Sequence, residues 1–116
     1  MGGATSDHNV GLRPLPEPRP LADDERTLLQ RVLELHGRPA RDPGTLRVVS
    51  VCSCGCRSIG IEDGSAGETG LQTYDTEGDG VEVIVHEING QIQELEIWSG
   101  AYGPVELPDP ARLRRT

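Results

Sequence analysis

At 116 residues the chain has room for one domain and not for two independent cores. Its net charge is −8, and all 11 of its basic side chains are arginine. An acidic chain repels phosphate backbones, and Tyr74, Trp98 and Tyr102 are the whole aromatic complement. Nucleic-acid binding is therefore not expected, and no apolar run is long enough to span a bilayer. The arginine-only bias fits a GC-rich bacterial genome. The N-terminus carries neither the basic nor the apolar run of a secretory signal, so a cytoplasmic location is expected.

In chain order, residues 1–20 read as a disordered proline-rich tail. Pro14, Pro16, Pro18 and Pro20 alternate with other residues, a pattern that forbids helix and removes sheet donors. A single domain is expected over 21–108. Its helix runs from Asp23 to His36, with acids in the first turn and Leu28, Leu29, Val32 and Leu33 on one face. Gly37 supplies a left-handed stop and Pro39 blocks continuation. Strands are expected at Leu46–Val51 and Ile59–Glu62, with a short edge strand at Leu71–Asp75. Val105–Leu107 reads as one more strand or an extended lid, and 109–116 as a flexible C-terminal tail.

Asn89-Gly90, between two alternating runs, marks a hairpin. A plain two-residue turn pairs Val83 with Glu96 and mixes valines with acids. A bulge at Gly90 pairs Val83 with Leu95 and Val81 with Ile97, which gathers the aliphatics, so that register is expected. The opposite face then carries Glu82, Ile84, His86, Ile92, Glu94 and Glu96. The predicted fold is α+β, one N-terminal helix packed on an antiparallel sheet of about four to five strands.

Cys52-Ser53-Cys54-Gly55-Cys56 is the one unusual constellation. Three thiols are one ligand short of a structural zinc site, and His86 or His36 would complete it. Against this, strand neighbours two apart lie roughly 6.6 Å apart. Sulfurs on one tetrahedral zinc sit about 3.8 Å apart. The expectation is that Cys52 and Cys54 are small buried hydrophobes in a strand. The metal set Cys52, Cys54, Cys56 and His86 stands as the alternative. An odd number of cysteines makes no disulfide framework.

Asp75 to Gly80 imitates the front of a calcium loop, but its twelfth position is His86, not glutamate, so it reads as an acidic turn. No phosphate loop, nucleophile elbow or zinc-protease motif is present, so no catalytic residue is assigned and the chain is expected not to be an enzyme. Trp98 and Tyr102 follow the last hairpin strand and, with Ile84 and Ile92 on the polar face, are candidate anchors for a protein partner.

The run from Gly80 to Leu107, together with the Cys52–Cys56 motif, resembles small uncharacterised proteins of GC-rich bacteria that carry a C-x-C-G-C strand and a hairpin ending in Leu-Glu-aliphatic. The hairpin type is also similar to that of immunity proteins of polymorphic toxin systems. The resemblance implies a non-enzymatic role and transfers no catalytic residues. The expected function is therefore protein interaction, of immunity or regulatory type, with a metal-binding or thiol-redox module as the alternative.

Overall fold

A computed structural model describes residues 12–65, 67–100 and 104–116. Among these residues seven strands form one antiparallel sheet: β1 (Leu12–Arg19), β2 (Leu46–Cys52), β3 (Ile59–Asp63), β4 (Leu71–Gly78), β5 (Val81–Ile88), β6 (Gln91–Trp98) and β7 (Arg114–Arg115). Their spatial order is β1-β2-β3-β6-β5-β4-β7. One helix, α1 (Asp23–Leu35), lies across β4 and β5. The mixed helix-and-sheet class agrees with the sequence reading, but the sheet has seven strands instead of four to five. Among the described residues no helix is long and apolar enough to cross a membrane.

The helix forms where the period predicts it, and Leu28, Leu29, Val32 and Leu33 are all 1% exposed or less. Its N-terminus is tied by Glu25. This carboxylate accepts the Ala22 N–H at 2.8 Å and both guanidinium nitrogens of Arg19, at 2.9 and 3.0 Å. Gly37 takes φ +67 just past the last turn.

The two additional strands come from segments expected to be tails. β1 pairs with β2 through Leu12–Cys52, Arg13–Val51 and Pro14–Ser50, then slips register before Arg19–Val48. The slip spans Pro16 and Pro18. A sheet edge tolerates proline because the outward side of an edge strand needs no donors. The alternation that forbids helix is thus compatible with this edge, and the Arg19–Glu25 pair docks it. The tail before Leu12 lies outside the described residues. β7 is held by Leu113, 4% exposed, and pairs Arg115 with Thr76 and Arg114 with Glu77. Val105–Leu107 forms no strand.

The central hairpin gathers its aliphatics by a different device from the expected one. Asn89 (φ 53) and Gly90 (φ 80) make a two-residue turn closed by the Ile88–Gln91 pair. The register then shifts by one after Glu87–Ile92, so that His86 pairs with Glu94, Val85 with Leu95 and Val83 with Ile97. The extra residue is Gln93. This bulge, three residues past Gly90, sets Ile92, Leu95 and Ile97 on the same face as Val81, Val83 and Val85, all of them in the buried core. Ile92 is therefore core, with no exposed surface, and does not belong to the polar face. Asp79 (φ 54) and Gly80 (φ 77) repeat the same turn between β4 and β5, so the imitation calcium loop is a second hairpin.

Candidate metal centre

β2 ends at Cys52 because the chain turns there. Gly55 adopts φ +93, and its N–H points back to the Cys52 carbonyl at 3.5 Å. The Cys52 N–H donates to the Ser58 carbonyl at 3.2 Å and closes the loop. A side chain at Gly55 would meet the ring of Pro104 at 3.4 Å in a backbone region that L-residues resist.

The turn removes the geometric objection drawn from an extended strand. The three sulfurs lie within 4.8 Å of one another, and the Cys52 and Cys54 Sγ atoms are 2.9 Å apart. All three residues are thiols and half-buried. They are not the interior filler the sequence reading expects, and they stand apart from the buried cluster. Sulfurs on one zinc sit about 3.8 Å apart, within the 4.8 Å envelope, so Cys52 and Cys54 would have to open from 2.9 Å to share one ion.

The Cys52 thiol is pushed up to about 12, first by burial and then by its hydrogen bonds to Cys54 and Cys56 and by the Cys56 charge. The adjacent cation does not offset this. Arg57 is engaged with Asp24 at 2.8 Å, clamping the cysteine loop to the start of α1. A thiol raised in this way, as Cys52 is, keeps its proton until a cation displaces it.

His86 does not complete the set. It lies on β5, three strand spacings of about 4.8 Å each from β2, and its Nε2 meets Glu96 Oε1 at 2.7 Å. Burial pulls its pKa down, but the Glu96 hydrogen bond outweighs burial and raises it. His36 is not a ligand either. Its Nε2 contacts the Asp75 carbonyl at 3.0 Å and its ring packs edge-on against Tyr74 at 5.3 Å. Ile84 and Trp98 are half-buried on the sheet face away from α1, where Glu82, Glu94 and Glu96 also lie. Tyr102 lies outside the described residues.

The sequence reading misses a buried ionic network. Arg41 reaches Asp63 Oδ2 at 2.8 Å, Glu87 Oε2 at 2.5 Å and the Gly90 carbonyl at 2.8 Å. Tyr74 donates its hydroxyl to Glu87 Oε1 at 2.9 Å, and this burial and pairing raise the Tyr74 pKa. The signal is present in the pattern. Asp63 continues the inward phase of Ile59 and Ile61, and Glu87 that of Val81, Val83 and Val85. Acids at core positions demand a cation.

Comparison of the chain with protein-family models, with curated proteins and with solved structures gives no match.

Proposed function

We propose that this protein is a small non-catalytic metal-binding module in which the Cys52, Cys54 and Cys56 thiolates hold one soft or borderline cation, of the zinc or copper(I) class. The observation that carries this reading is the convergence of three sulfurs within 4.8 Å on one five-residue turn. Thiolates select these cations over harder ones. Three protein ligands leave a fourth position on zinc for water or an outside donor. The 2.9 Å approach of Cys52 and Cys54 makes oxidation to a disulfide the competing chemistry under an external oxidant.

The test is elemental analysis of protein produced without a histidine tag and purified without oxygen, together with thiol titration before and after chelation. One metal ion per chain, lost in Cys54→Ser with thiols unmasked by the chelator, supports the proposal. Protein that neither retains nor takes up zinc or copper(I) contradicts it.

A second reading, a protein-interaction surface, is favoured by the sheet face away from α1. Ile84 and Trp98 sit there among acids, and Leu71 on β4 is 77% exposed. Capture experiments with wild-type and Trp98→Glu baits test it. A partner lost with the substitution supports this face, and identical capture removes it.

A further inference from the structure

The bulge at Gln93 has an effect on the outer face as well as on the core. It places Glu94 directly opposite His86, with Glu96 on the diagonal. The His86 imidazole and the two carboxylates then offer three ligand atoms within 4.8 Å of one another. His86 and Glu96 touch at 2.7 Å with side chains 33% and 36% exposed, so the cluster opens to solvent. Glu94 is half-buried and, among the described residues, receives no hydrogen bond from a protein donor. Its neighbour across the β3 ladder is Gly60, which has no side chain to pair with it.

An ordinary cross-strand ion pair needs one carboxylate for one imidazole. Here two carboxylates converge on a single ring, and among the described residues no donor reaches the second. A divalent cation can take the imidazole nitrogen and one oxygen of each carboxylate together, which the single His86–Glu96 contact does not do. We propose that His86, Glu94 and Glu96 form a second cation site, distinct from the thiol cluster, for a first-row divalent ion that prefers nitrogen and oxygen donors, manganese(II) being the simplest probe. The open face leaves the remaining coordination positions to water. The donor set is of the imidazole–carboxylate type that suits harder ions, whereas three sulfurs suit soft ones.

Manganese(II) titration of the full chain separates the two sites, because this ion disfavours thiolates. The readouts are calorimetry and paramagnetic broadening of the histidine ring resonances. The proposal expects saturable binding that broadens His86 before His36, retained after the cysteines are alkylated. In Glu94→Gln, whose exposed-face position leaves the core intact, affinity falls by roughly tenfold or more. Absence of saturable binding, or binding unchanged by Glu94→Gln and by His86→Gln, overturns it. Failure of the thiol cluster to bind zinc leaves this outcome untouched, so the two proposals stand or fall separately.

Discussion

Arg41 and Asp63 are 22 residues apart in sequence and meet at 2.8 Å. The same Asp63 oxygen accepts the backbone N–H of Ile92 at 2.8 Å, while its other oxygen accepts Ser65 N–H at 2.7 Å. β3 and β6 pair at Ile59–Leu95 and Gly60–Glu94, before the bulge at Gln93. Past the bulge, the Asp63 side chain takes the place of a ladder carbonyl. The bulge that gathers the core aliphatics therefore depends on a buried acid, and that acid depends on Arg41.

Replacing Arg41 by methionine should destabilise the fold by about 3–5 kcal/mol, because Asp63 and Glu87 are left buried without a cation. Their side chains are 0% and 5% exposed. Equilibrium urea unfolding measures the loss. Adding Asp63→Asn and Glu87→Gln should recover part of it, because neutral amides tolerate burial better. An Arg41→Met protein as stable as wild type would show that the network carries no weight.

The two hairpin turns give a matched comparison. A Cβ on Gly80 meets nothing within 4 Å, whereas one on Gly90 would lie 2.4 Å from the Gly67 backbone. Both positions have positive φ. Gly80→Ala should cost about 1 kcal/mol from conformation alone. Gly90→Ala should cost clearly more, since the Gly67 backbone must also move. Thermal unfolding of the two variants side by side checks the order.

Glu25 links stability to pH. Burial pushes its carboxyl up, but the Arg19 and Ala22 hydrogen bonds prevail and hold its pKa below the ordinary 4.5. A depressed carboxylate contributes stability that is complete above its unfolded pKa and is lost as pH falls through the folded value. Glu25→Gln should therefore cost about 2 kcal/mol at pH 7, from lost charged hydrogen bonds. The difference from wild type should shrink below pH 4.5. Urea midpoints measured from pH 7 down to pH 3 follow it. A gap that stays constant across that range would contradict the assignment.

Much of this was legible in the residues. Leu28, Leu29, Val32 and Leu33 at helical spacing, with Gly37 and Pro39 behind them, define α1 because period and stop signals are local. Asn89-Gly90 marks its hairpin for the same reason. The bulge at Gln93 was not legible, because its cause is Asp63, which is distant in sequence. The burial rule gathers the valines and isoleucines correctly, yet two bulge positions satisfy it and only tertiary contact chooses between them. β1 and β7 were hidden for a related reason. A proline-rich or arginine-rich segment has no strand propensity of its own, and these join the sheet through Arg19–Glu25 and the single buried Leu113. The cysteine motif stands out in the sequence, but its geometry turns on the φ of Gly55, which sequence spacing treats as extended.

Cobalt(II) titration of the reduced chain tests the thiol centre most directly, because thiolate ligands give intense near-ultraviolet charge-transfer absorption and imidazole or carboxylate ligands do not. Bands that saturate at one equivalent, vanish in Cys54→Ser and disappear on addition of zinc are the predicted result. A wild-type spectrum without charge-transfer bands, or bands unaffected by Cys54→Ser, would contradict a metal centre at Cys52, Cys54 and Cys56.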